Sequence, residues 1–97
     1  MENKIDWLSS FAPNDLVNFF DETMEDPFLF EKRVVSIIED TLAITLMVIK
    51  CDGAYWAVVS DFGMDLRAVK FTTKEDAEEA LRDFDKTYVR YQKRQTI

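Results

Sequence analysis

The longest apolar run in the chain covers residues 42–49, and Asp52-Gly53 separates it from a second run, Tyr55-Trp56-Ala57-Val58-Val59. Two β-rich runs split by Asp-Gly predict a hairpin, since these residues tolerate the positive φ angles of a two-residue turn. With that turn fixed, the register follows. Cys51 faces Ala54, Ile49 faces Trp56, Met47 faces Val58 and Thr45 faces Ser60; on the other side Val48 faces Ala57 and Leu46 faces Val59. Both faces are apolar, so each needs a helical cover. Residues 61–65 read as a turn and 66–71 as a third strand, whose Arg67 and Lys70 suit a sheet edge. The expectation is one α+β domain over residues 1–97, a three-stranded antiparallel meander packed with N-terminal helices and a long C-terminal helix.

The flanking segments carry a helical period. Residues 5–11 predict a short helix with Leu8 and Phe11 three apart. Asn14 is suited to N-cap the next one, with Asp15 in its first turn. Over residues 15–25, Leu16, Val17, Phe19, Phe20, Thr23 and Met24 share an arc of about 160°, and Asp15, Asn18, Asp21, Glu22 and Glu25 share one of about 120°. Asp26-Pro27 then marks a further helix start, Asp as cap and Pro in the first turn. Phe30, Val34, Ile37 and Ile38 continue at spacings of three and four, which favours a helix over 27–39. The Val and Ile content would also suit a strand over 32–39. At the far end, Thr72 with Glu75, or Thr73 with Asp76, makes a capping box. It opens a helix whose Ala77, Ala80, Leu81, Phe84, Tyr88 and Tyr91 form one stripe, trailed by Arg90, Lys93 and Arg94. Glu75, Asp76, Glu78, Glu79, Asp83 and Asp85 line its outer side, one acid per about 2.5 Å of helix, against one charge per about 1.7 Å of duplex DNA.

Charge changes the picture more than composition does. The net charge of −7 is confined to one stretch: no Lys or Arg stands between Lys4 and Lys32, while Asp6, Asp15, Asp21, Glu22, Glu25, Asp26 and Glu31 do. The twelve acids elsewhere balance the twelve bases. No Lys at i+4 offsets the acids of the 15–25 helix, so they repel one another. A chain built this way lacks the basic face that a nucleic-acid or anionic-membrane binder needs. The first residues show no leader pattern, and the run at 42–49 is too short to cross a bilayer. A single cysteine, Cys51, makes no internal disulfide, so a reducing cytoplasm is expected.

Little chemistry can be assembled from the rest. The sequence has no histidine, which removes the commonest general base and metal ligand. Cys51 therefore has no imidazole partner and reads as a small buried thiol at a strand end. Two glycines do not make a phosphate loop, and Asp52, Asp61 and Asp65 lack cation-loop spacing. No catalytic residue, metal or cofactor is expected, although a carboxylate-dependent enzyme stays open. Six of thirteen aromatics, Trp7, Phe11, Phe19, Phe20, Phe28 and Phe30, fall inside the acidic stretch. Phe19, Phe20 and Phe30 are expected in the core, and Trp7, on a short terminal helix, partly exposed and able to anchor a basic partner.

In size, acidity and lack of catalytic residues the chain resembles the small phage-encoded anti-defence proteins, among them anti-CRISPR proteins that mimic DNA on a surveillance complex. The residues behind the resemblance are the acidic faces, Asp15, Asp21, Glu22, Glu25 and Asp26 and, to a lesser degree, Glu75–Asp85. It implies a non-enzymatic inhibitor, active in the host cytoplasm, that occupies a groove built for phosphates on a basic, nucleic-acid-binding protein. Its contact residues would be Trp7, Asp15, Asp21, Glu22, Glu25, Asp26, Glu75, Asp76 and Glu79. A monomer is expected, unless the Met47, Ile49, Trp56 and Val58 face is left bare and becomes an interface or dimer seam. Two other readings stand beside this one: an antitoxin or immunity protein matched to a basic toxin, and a cytosolic interaction module with no inhibitory role.

Overall fold

In the computed structural model, which describes residues 5–41, 43–61 and 66–89, the Asp52-Gly53 turn closes the hairpin as expected. Asp52 has φ 53° and Gly53 φ 75°, the pair of positive angles that matches the turn to the twist of its strands. Strand β2 (Ile44–Cys51) and strand β3 (Ala54–Asp61) pair in the predicted register, from Cys51 with Ala54 to Ile44 with Asp61. Strand β4 (Arg67–Phe71) adds antiparallel to β3 and forms one edge of the sheet. That edge is covered in part by the segment before the first long helix: Ala12 N–H donates to the Leu66 carbonyl and Ala68 N–H to the Ser10 carbonyl, both at 2.9 Å.

The sheet has four strands, not three. The helix expected over 27–39 stops at Arg33, and Val34–Asp40 forms strand β1 against β2, giving the order β1-β2-β3-β4. The apolar spacing that suited a helix does not mark one face: Val34 packs with Met47 and Ile49, Ile38 with Leu46 and Val48, and Ile37 is exposed. Irregularities between Val34 and Ser36 and between Ile37 and Glu39 let seven residues of β1 lie opposite the five of 45–49. In a regular strand, residues three apart point to opposite faces. Here Val35 and Ile38 pack into the same cluster, because a β-bulge resets the phase between them.

Helix α1 (Asn14–Glu25) and helix α2 (Pro27–Arg33) form an elbow. The N-cap of α1 is Pro13 with no side-chain cap bond, and Asn14 is the first helical residue rather than the cap. Asp26 caps α2 as predicted, its Oδ1 accepting from Phe28 N–H at 2.9 Å. Helix α3 (Lys74–Phe84) is capped by Thr73, whose Oγ1 accepts from Asp76 N–H at 3.1 Å. It continues as one wider π turn, Asp85–Val89. Arg90, Tyr91, Lys93 and Arg94, expected to continue this helix, lie outside the described residues, as do residues 62–65 of the turn expected at 61–65.

The two apolar faces of the hairpin are covered from opposite sides. Ala77 and Leu81 of α3 pack with Leu46, Val48, Ala57 and Val59. Leu16 and Phe20 of α1 pack with Met47, Ile49, Val58 and Ala68. Met47, Ile49 and Val58 are therefore buried, with Trp56 partly buried against them, and this face offers no bare seam. Each fully buried aliphatic side chain contributes about 1.5–3 kcal/mol.

Candidate functional site

The outward side of α1 follows from its pattern. With Leu16, Phe20 and Thr23 buried, Asp15, Asp21, Glu22 and Glu25 are left exposed, and Asp26 and Glu31 extend the acidic surface round the elbow. Helix α3 does the same on its own side, where Glu75, Asp76 and Glu79 are exposed. The sheet lies between these two sets. The residues expected to meet one partner are thus divided between opposite faces of the molecule, and a single docking surface holds only one set.

Two of the predicted residues are otherwise engaged. Glu22 is not uncompensated: Arg33, at the end of α2, donates from Nη1 to its Oε1 at 3.1 Å. The same guanidinium lies 4.1 Å from the centre of the Phe19 ring and reaches Thr23 Oγ1 at 3.3 Å. Asp26 spends one carboxylate oxygen on the α2 cap. Among the described residues, Asp15, Asp21 and Glu25 have no ion-pair partner.

Trp7 is 6% exposed and is not available to a partner, contrary to expectation. The short 3₁₀ turn Trp7–Ser9 precedes the segment that pairs with the β4 edge and sets the indole against α3, with Phe84 edge-on at 5.3 Å. What the turn exposes instead is Leu8 and Phe11. Asp85, grouped by sequence with the outward acids of α3, is buried at 3% exposure. Four residues beyond Leu81, it lies beside the apolar stripe, where the helix widens into the π turn.

The aromatics of the acidic stretch divide by helix phase. Phe20 is core, and Phe19 and Phe30 are partly buried against it. Phe28 is 71% exposed. Phe28 and Phe30 stand about 200° apart on a helix, so seating Phe30 inward turns Phe28 out. That wheel position was the available signal for an exposed aromatic at the elbow.

The elbow also carries a feature that sequence periodicity did not reveal. An open groove of about 720 Å³ runs between the elbow and β1, lined by Met24, Glu25, Pro27, Phe30, Glu31 and residues 34–37. Met24 and Ile37 are each 45% exposed along it. Its walls come from the end of α1 and from α2 and β1, the last two of which the sequence had joined into one helix, which is why no pattern in the chain announced it.

Cys51 is half-buried at the end of β2, and its thiol pKa is pushed up by burial and then by the Asp52 carboxylate, against a smaller lowering by Arg33. Among the described residues, no group of three His, Cys, Asp or Glu side chains is gathered to hold a metal ion, and no helix is long and apolar enough to cross a membrane. No protein-family model, curated protein or solved structure matches the chain.

Proposed function

We propose that the protein is a small, non-enzymatic inhibitor that binds a basic, nucleic-acid-binding protein or complex and blocks access of DNA or RNA, in the manner of an anti-CRISPR DNA mimic. The binding surface is the outward side of α1 and the elbow. One observation carries the reading: the whole net charge lies in residues 5–31, and Asp15, Asp21, Glu22 and Glu25 from that stretch stand exposed on one helix beside Asp26 and Glu31. Like charges on one helix repel one another, and a basic partner would relieve that repulsion. Long-range attraction speeds such an encounter, and the affinity falls with salt. The protein acts as a monomer in the cytoplasm, and Glu75, Asp76 and Glu79 on the opposite face take no part.

The test is capture of partners on the immobilised protein from host lysate at low and high salt. A nuclease or a CRISPR-machinery subunit that elutes at high salt supports the reading. Replacing Asp15, Asp21 and Glu25 by Lys then abolishes capture while leaving the Arg33–Glu22 pair intact. A cognate toxin in the eluate would make the protein an antitoxin. Capture that survives the triple reversal would reduce the acidic helix to a solvated surface.

A further inference from the structure

We propose that the groove between the α1–α2 elbow and β1 is a second contact site, one that receives a short segment of the protein partner in which an aromatic or long aliphatic side chain is flanked by Lys or Arg. The inference deepens the proposed function, since it names what part of a basic partner the elbow would hold, and it rests on that reading for the partner but not for the groove. The floor and walls are mostly apolar, Met24, Pro27, Phe30, Val34, Val35 and Ile37, with Ser36 among them. The rim is acidic, with Glu25 and Glu31 both exposed, and no Lys or Arg lines it. Arg33, at the end of α2, is already held by Glu22 and Phe19. An apolar slot with carboxylates on its lip is complementary to an apolar anchor beside a cation, the usual composition of an interface hot spot.

The form of the occupant follows from the shape. The groove is open, and it does not enclose most of a small molecule as a ligand pocket does. A segment of a larger partner brings its own surface to close it. Among the described residues no strand pairs with the outer edge of β1, so backbone hydrogen-bonding groups are presented along one side of the groove. The two β1 irregularities, however, interrupt any long added ladder. The occupant is therefore a short segment seated by its anchor side chain, and not a full strand extending the sheet.

Selection of a random peptide library displayed on phage against the purified protein tests this. Enriched peptides are expected to place an aromatic or aliphatic residue next to Lys or Arg. In solution, a labelled enriched peptide should shift the amide resonances of Glu31, Ser36 and Ile37. Ile37→Asp should weaken its binding by about tenfold or more, and Glu25→Lys with Glu31→Lys should select acidic peptides instead. All three positions are at the surface, so circular dichroism is expected to remain that of the unmodified chain. Failure to enrich any peptide, an acidic or uncharged consensus, resonance shifts confined to the α3 side, or a dimer that closes the groove would each overturn the proposal. Asp15 and Asp21 do not line the groove, so reversing them tests the acidic helix alone. Peptide binding that survives that reversal while partner capture is lost, or the opposite pattern, separates the two readings.

Discussion

Arg33 closes on Glu22 across the α1–α2 elbow, Nη1 to Oε1 at 3.1 Å, and so joins the end of one helix to the last turns of another. The ion pair itself is weak, because the Glu22 side chain is 66% exposed and screened by water. The other contacts of the same guanidinium, over Phe19 and to Thr23, are more sheltered. Glu22→Gln is expected to cost no more than about 0.5 kcal/mol. Arg33→Ala, which loses the cation–π contact, the Thr23 bond and the packing of the stem, is expected to cost about 1–2 kcal/mol. Urea denaturation of the two variants distinguishes them. Equal losses would mean that the ion pair, and not the ring and the hydroxyl, holds the elbow.

The division of acids between two faces predicts an asymmetric response to charge reversal. Lys at Asp15, Asp21 and Glu25 is expected to abolish binding of the basic partner and flatten its salt dependence. Lys at Glu75, Asp76 and Glu79 changes the net charge by the same amount on the far side of the sheet and should alter the affinity only a few-fold, through the long-range field. Binding titrations at two ionic strengths measure both. Equal losses from the two sets would show that net charge alone drives association and would end the case for a docking face.

Trp7 offers a direct check of the packing against α3. A buried indole against Phe84 predicts emission that resists acrylamide quenching in a Trp56→Phe background, where Trp7 is the only tryptophan. Trp7→Ala is expected to destabilise the fold by about 3–5 kcal/mol, as for other buried aromatics. Ready quenching together with a loss below about 1 kcal/mol would place the indole in solvent.

These contrasts mark what the chain disclosed and what it withheld. The hairpin register was legible because Asp52-Gly53 admits one tight turn, and each later pair follows by counting. The two-sided apolar pattern likewise demanded cover on both faces, and α1 and α3 supply it. Strand β1 was open as the alternative over 32–39, but the spacing of Val34, Ile37 and Ile38 favoured a helix, although in the strand these three share no face. The exposure of Trp7 was misjudged because position near a terminus says nothing about where a turn folds back. The acidic face of α1 could be read from its wheel, whereas Arg33 and the groove depend on tertiary contacts that no local pattern encodes.

Thr72 and Thr73 both suit a capping box by sequence, and the structure selects one. Thr73 Oγ1 accepts from Asp76 N–H, which satisfies one of the open donors in the first turn of α3. Thr73→Ala is expected to cost about 1 kcal/mol and Thr72→Ala close to nothing. Thermal unfolding followed at the helical band resolves a difference of that size. A larger loss at Thr72 would move the start of α3 by one residue.

Cys51 and Asp52 are coupled through the turn that sets the register. Burial raises the thiol pKa, and the neighbouring carboxylate raises it further, so less thiolate is present near neutral pH than for a free cysteine. The chain has one cysteine, so alkylation by iodoacetamide reports this site alone. The rate at pH 8 is expected to be lower in the native protein than in urea. Asp52→Asn removes the charge yet keeps a residue that accepts positive φ, so the rate should rise while the hairpin persists. Arg33→Ala removes the one opposing influence and should lower the rate. The sign for stability follows from the raised pKa: the folded state holds the proton more tightly, so the contribution is complete below the ordinary thiol range of about 8.5 and declines as pH rises above it. Unfolding measured from pH 7 to pH 10 should therefore decline more steeply for the native chain than for Cys51→Ser. A native rate equal to the unfolded one would show that neither burial nor Asp52 acts on the thiol.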